Sequence, residues 1–265
     1  MDKRAIGIFD SGLGGLTILK ELTKKLPKEN VIYFGDSARV PYGSKSPETV
    51  IQYSLEIAKF LESENIKMLL IACNTASALA ITEVIKNVKV PVVGVIEAGS
   101  MDAVKKTKNK RVAVIGTSAT VRSNSYKKML KSLDKNIEVL QTAAPLFVPI
   151  IEEEWNETKV AEIVAKEYLK PIKASGADTL ILGCTHYPII KKLLKRIMGG
   201  KVNLIDSAES VSCQVAKMLE AGGQLNKSGK GKVIIYASDA PKTFADKASK
   251  ILGKKISKAH LKKFN

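Results

Sequence analysis

A chain of 265 residues is long enough for one large domain or two smaller ones, and 45% hydrophobic with 26% charged residues suits packed cores. No apolar run reaches the roughly 20 residues of a membrane-spanning helix, and Met1-Asp2-Lys3-Arg4 leads straight into a strand-like run rather than a secretory signal, so a cytoplasmic protein is expected. The net charge is +17, with 11 lysines against two acids over 227–265, but aromatics are few there and no nucleic-acid-binding motif stands out, so a solvated lysine-rich surface is expected rather than specific nucleic-acid binding.

In chain order, a short apolar run is followed repeatedly by an amphipathic stretch. Residues 5–9 precede a helix over 16–26, 31–34 a loop and a helix over 47–61, 68–72 a helix over 76–86, and 90–95 a helix over 98–105. Further on, 111–115 precede a helix over 123–132, 137–141 a loop and a helix over 159–170, 179–182 a helix over 189–197, 202–205 a helix over 209–220, and 232–236 a helix over 242–251. Apolar strands alternating with helices imply parallel sheets covered on both faces, and such sheets bind ligands at the carboxyl ends of their strands.

Leu69-Leu70-Ile71-Ala72-Cys73-Asn74-Thr75 resembles Leu180-Ile181-Leu182-Gly183-Cys184-Thr185-His186, each a buried-strand run ending in cysteine and two polar residues. The segments at Asp10-Ser11-Gly12 and Gly116-Thr117-Ser118 stand at comparable offsets before these cysteines. The expected fold is α/β: two similar parallel-sheet lobes related by pseudo-symmetry, with the site between them. The first lobe takes 1–97 with 208–265 and carries Cys73; the second takes 98–207 and carries Cys184. The Gly199-Gly200 and Gly222-Gly223 pairs and 228–231 read as loops.

Three cysteines without a Cys-x-x-Cys pair predict neither a disulfide framework nor a structural zinc site, and no metal site is expected. Cys73 closes a strand and Asn74-Thr75 opens a helix, where free N–H groups and the positive dipole end favour a thiolate or a bound carboxylate. Cys184-Thr185-His186 repeats the arrangement with Pro188 in the first turn of the next helix. Alone, either cysteine reads as an inert buried residue; two in matched contexts read as functional. Cys213, mid-helix among Val211, Val215 and Met218, reads as packing.

Gly7-Ile8-Phe9-Asp10-Ser11-Gly12-Leu13-Gly14-Gly15 is a strand and a glycine-rich turn, but Thr17 stands where a dinucleotide fold needs its third glycine and no Gly-Lys-Ser/Thr follows. Asp10 and Ser11 sit instead at a strand's carboxyl end, where Asp10 serves a ligand or caps a turn. Asp36, in the strand-end loop over 33–43, tunes a neighbour's proton affinity or caps the loop; Glu152, heading an acidic run, reads alone as a solvated helix start.

Together these segments resemble glutamate racemase, of the aspartate/glutamate racemase family. The matching pieces include residues 7–15, 33–43, 71–76, 92–97, 116–121, 145–152 and 182–188, in family order. The resemblance implies an enzyme that interconverts L- and D-glutamate without pyridoxal phosphate or any other cofactor, a homodimer, and D-glutamate supply for bacterial peptidoglycan and cell shape. By motif position, Cys73 and Cys184 are the two acid/base thiols, with Asp10, Glu152 and His186 assisting proton movement. Asp10, Ser11, Pro41, Tyr42, Gly43, Asn74, Thr75, Thr117, Thr120, Thr185 and His186 hold the substrate, and Asp36 tunes the site. The first motif begins almost at Met1, so activation by a cell-wall precursor through an N-terminal extension is not expected.

The chemistry wants this pair. Racemisation removes the α-proton from one face and returns one to the other, so one group acts as base while its opposite acts as acid. A thiol of pKa about 8.5 needs only a modest shift to supply both forms near neutral pH. Rival readings are an aspartate racemase, and a cysteine hydrolase or amide transferase built on Cys184 and His186, which leaves Cys73 without a role.

Overall fold

The computed structural model describes residues 2–264. Its strands are β1 (Ile6–Asp10), β2 (Val31–Gly35), β3 (Met68–Ile71), β4 (Val92–Gly94), β5 (Arg111–Gly116), β6 (Glu138–Ala143), β7 (Thr179–Gly183), β8 (Asn203–Ile205), β9 (Val233–Ala237) and β10 (His260–Leu261). The helices are α1 (Leu16–Lys25), α2 (Pro47–Ser63), α3 (Asn74–Leu79), α4 (Ile81–Asn87), α5 (Val95–Lys106), α6 (Ser118–Ser123), α7 (Ser125–Leu133), α8 (Phe147–Glu152), α9 (Lys159–Ala174), α10 (Lys191–Met198), α11 (Ser207–Ala221) and α12 (Pro241–Leu252). No helix among the described residues is long and apolar enough to cross a membrane.

Two wholly parallel sheets result, one ordered β10-β9-β2-β1-β3-β4 and the other β6-β5-β7-β8. The run β2-β1-β3-β4 in the first has the same connectivity as β6-β5-β7-β8 in the second, so β3 and β7 are equivalent strands, as are β1 and β5. This is the physical basis of the short sequence repeat.

Each sheet is covered on both faces, which explains its continuous apolar strands. In the first, Ile6, Ile8, Tyr33, Met68 and Leu70 pack under α1, α11 and α12, while Phe9, Ile32, Phe34, Leu69 and Ile71 face α2 and α4. In the second, Ala113, Ile115, Leu180 and Leu182 pack under α9, and Val112, Val114 and Ile181 meet Tyr126 and Leu130 of α7. The period of two along each strand sends alternate side chains to opposite cores.

Several expected elements differ. The helix expected over 76–86 is two helices meeting at Ala80, and that over 123–132 begins at Ser118 and breaks at Asn124, whose left-handed φ of 56° interrupts it. The strand expected over 90–95 is only three residues long because α5 starts at Val95. Glu152 ends a helix, α8, rather than starting one. Cys213 does not share the core face of α11, formed by Val211, Val215 and Leu219, and is half-buried beside it.

At the amino ends of the strands, Lys67 and Glu29 form a buried ion pair at 2.6 Å. Lys67 Nζ also donates to the carbonyls of Asp2 and Gln224, and Glu29 accepts from the Asn226 N–H, so the pair ties the N-terminus to the loop after α11. Removing one partner strands the other charge away from water. Lys67→Met is expected to cost about 3–5 kcal/mol in chemical denaturation, with much of the loss recovered in Lys67→Met/Glu29→Leu; an unchanged midpoint for the single variant would contradict this account of the pair.

Candidate active site

The carboxyl ends of the two sheets face each other across a small cavity of about 20 Å³, room for about one water molecule. Its lining comes from equivalent loops: Ser11 after β1, Val40 to Gly43 after β2, and Cys73 to Thr75 after β3 on one side; Thr117 after β5, Val148 after β6, and Cys184 to His186 after β7 on the other. Both Cys73 and Cys184 line this one space.

Cys73 is the N-cap of α3: its Sγ accepts from the Ala76 N–H at 3.5 Å and lies 3.7 Å from Ser11 Oγ. Asn74 donates to Tyr126 OH at 2.7 Å, which carries the contact across to α7. Thr117 caps α6, and its hydroxyl joins those of Thr75 (2.8 Å) and Thr120 (2.9 Å), a second polar bridge between the sheets. Thr120 therefore stands behind Thr75 and Thr117 rather than in the cavity wall.

Cys184 differs. No α-helix starts after it; Pro188 has no N–H to give, and Tyr187–Ile190 makes a single 3-10 turn before α10 begins at Lys191. The helix start expected behind this thiol is thus reduced to one tight turn, and an imidazole takes its place: His186 Nδ1 lies 3.8 Å from Cys184 Sγ, while Nε2 meets Glu152 Oε1 at 2.7 Å. Glu152 lies on the far side of His186 from the cavity.

Asp10, fully buried at the end of β1, accepts from the Gly12 N–H at 2.9 Å and from Thr185 Oγ1 at 3.1 Å, so a carboxylate of one sheet reaches the cysteine loop of the other. Asp36 lies outside the cavity, accepting from Tyr42 OH and from Arg39 Nε, and so fixes the loop that presents Pro41, Tyr42 and Gly43. Val40 and Val148 in the wall lie within the matched segments 33–43 and 145–152 but were not among the expected site residues, while Tyr126 behind Asn74 and Lys247 behind Glu152 lie in ordinary lysine-rich stretches.

Electrostatics distinguish the two thiols. Burial and then the charge of Asp10 push the Cys73 thiol up to about 12, although the Ala76 N–H and Ser11 oppose this. Burial also pushes the Asp10 carboxyl up, against the pull of His186 and the N–H groups of Gly15 and Gly12. At His186 burial acts downward, yet the hydrogen bonds to Cys184 and Glu152 outweigh it and hold the imidazole at about 10. Burial raises the Glu152 carboxyl less than His186 and Lys247 lower it. Around neutral pH the site holds a protonated Cys73 and an imidazolium against Cys184.

A family profile described as Asp/Glu/Hydantoin racemase matches residues 12–240. The chain is 49% identical over 257 residues to a glutamate racemase from Geobacter metallireducens, spanning 97% of this chain and 95% of that one. Among solved structures, a glutamate racemase from Bacillus anthracis superposes with a TM-score of 0.95 at 35% identity, covering 100% of this chain and 98% of that one. Glutamate racemase from Francisella tularensis, solved with D-glutamate, gives a TM-score of 0.93 at 40% identity, with 100% and 98% covered. The chain belongs to the Asp/Glu/hydantoin racemase family. Within it, the chain groups with the glutamate racemases.

Two outcomes follow from the packing and charge of this site. The backbone at Gly14 runs against the second cysteine loop: a Cβ there would collide with Thr185 Oγ1 and come within 2.7 Å of His186 Nδ1. Gly14→Ala is expected to lower turnover by about a hundredfold or more, as a displacement of about 1 Å at reacting groups does, while the far-ultraviolet spectrum stays native; unchanged turnover would show that the loop has slack. His186 titrates higher in the fold, about 10, than its ordinary 6.5, so its stabilisation is full below pH about 6.5 and is lost as pH rises through about 10. Cys73, raised from 9.0 to about 12, acts in the same sense at higher pH. The melting temperature should therefore fall between pH 7 and 10, roughly, and His186→Gln should flatten that fall; an identical slope in the variant would remove His186 as its source.

Proposed function

We propose that the enzyme interconverts L- and D-glutamate by moving protons between the substrate's α-carbon and two thiols, Cys73 and Cys184, with no cofactor taking part. The observation that carries this reading is the small cavity lined by both cysteines, each delivered from an equivalent strand of its own sheet. Opposed delivery is what inversion at one tetrahedral carbon requires.

One sulfur, as thiolate, takes the α-proton; the other, as thiol, gives a proton to the opposite face. The two thus exchange protonation states, and the next turnover in the same direction needs them reset. Asp10, whose charge acts on Cys73, and His186 with Glu152 beside Cys184 are the proton carriers of this mechanism. Burial and the charge of Asp10 keep Cys73 a thiol, so in this mechanism Cys73 is the acid when Cys184 takes the α-proton.

The carbanion-like transition state needs donors aimed at the α-carboxylate. Asn74, Thr75 and the first N–H groups of α3 supply them from one side, Thr117 and Thr185 from the other, with Ser11, Pro41, Tyr42 and Gly43 closing over the substrate and Thr120 and Asp36 supporting them. A cavity of about 20 Å³ does not admit an amino acid, so the lobes, 1–97 with 208–265 and 98–207, part to load it. The chain crosses between them at the start of α5 and of α11. A cytoplasmic homodimer making D-glutamate for peptidoglycan completes the reading.

Cys73→Ser and Cys184→Ser are each expected to lose nearly all racemisation, followed by polarimetry with L- and D-glutamate, while melting near the parent temperature. Turnover in deuterated water should put solvent deuterium on the product's α-carbon. Full activity in either variant would remove that thiol from the mechanism, and faster turnover of aspartate than of glutamate would overturn the substrate.

A further inference from the structure

Behind the site, helix α12 reaches across from the first sheet to the second. Its Phe244, Ala245 and Ala248 belong to the first sheet's core, yet its Lys247 Nζ donates to the Glu152 carbonyl at 3.1 Å and lies 3.7 Å from Glu152 Oε2. One turn on, Lys250 meets Glu154 Oε1 at 2.7 Å. Residues three apart share a helix face, so both lysines point at the end of α8. The pairs flank an open groove of about 610 Å³ that Glu152, His186, Lys247 and Lys250 help to line.

Glu152 therefore has two partners on two lobes: His186 on its own, through Oε1, and Lys247 on the other. The Glu152 contact fixes His186 with Nε2 outward and Nδ1 toward Cys184. The Glu152 side chain is 22% exposed, so without Lys247 it is free to turn to water. The other charged groups around it are Asp10 and Cys184 inward, and Lys20, Glu21, Glu154, Glu157, Asp206 and Lys250 around the groove.

We propose that Lys247 is a positioning residue that makes the Glu152–His186–Cys184 relay conditional on closure: docking of α12 on α8 holds Glu152 against His186, and parting of the lobes releases it. This rests on the reading of Cys184 and His186 given under the proposed function. It gives each thiol a supporting contact from the opposite lobe, since Asp10, beside Cys73, is held by Thr185 in the same way.

The test uses full-length enzyme with α-deuterated L- and D-glutamate. Lys247→Met should lower kcat by about fivefold, the scale of a partly exposed ion pair. It should also raise the primary isotope effect for one enantiomer and lower it for the other, because only the Cys184 transfer slows. Lys247→Arg should restore both values. Lys250→Met, which cuts the neighbouring pair without touching Glu152, should leave the isotope effects unchanged. In a Glu152→Gln background, Lys247→Met should add nothing. An equal loss for both enantiomers with unchanged isotope effects, or the same fivefold loss in the Glu152→Gln background, would overturn the proposal. A strong effect of Glu152→Gln with a silent Lys247→Met would overturn it alone; a silent Glu152→Gln would remove the relay itself and this proposal with it.

Discussion

A tetrahedral carbon can be inverted only by groups that reach it from opposite faces, and no single sheet can aim two side chains at each other across a gap. The chain meets this constraint by building the same four-strand order twice, β2-β1-β3-β4 and β6-β5-β7-β8, and turning the carboxyl ends toward each other. Parallel sheets present all their loops at one end. Ser11, Tyr42 and Cys73 therefore arrive together from one side, and Thr117, Val148 and Cys184 from the other.

The two halves are equivalent in topology but not in chemistry. Cys73 caps a helix and sits near a buried carboxylate; Cys184 precedes a single 3-10 turn and sits against an imidazole. Burial and Asp10 keep a proton on Cys73, whereas beside Cys184 it is the imidazole of His186 that is raised, to about 10, by its hydrogen bonds. The asymmetry distinguishes the two thiols, and in the proposed mechanism the carboxylates behind them return the protons.

Helix α5 joins the two sheets through apolar packing, with Val95 and Ala98 in the first core and Ile96 and Ala103 in the second, and the contacts across the cleft itself are polar: Asn74 to Tyr126, Thr75 to Thr117, Thr185 to Asp10, Lys247 to Glu152. These polar contacts draw the two sides of the cleft together around the small cavity. In the proposed mechanism, exclusion of water as the cleft closes on the substrate strengthens each donor aimed at developing charge.

Much of this was legible in the chain because burial on both faces writes itself as apolar runs, and because both cysteines follow such runs: the β3 and β7 segments and their Cys-Asn-Thr and Cys-Thr-His endings stand out without coordinates. The kinks were not legible. Asn124 is of a type that readily turns left-handed, but the helical pattern running through it masks the break, and Pro188 marked a helix start where the chain makes a 3-10 turn. Nor were the residues that matter through long-range contact: β10 pairs with β9 at the sheet edge, and Lys247 looks like any other lysine of a basic helix until folding sets it against Glu152. The most direct measurement is a crystal structure of the enzyme with glutamate bound. The account predicts the Cys73 and Cys184 sulfurs on opposite faces of the substrate Cα, each at about 3–3.5 Å; both sulfurs on one face, or either one out of reach in the closed complex, would contradict it.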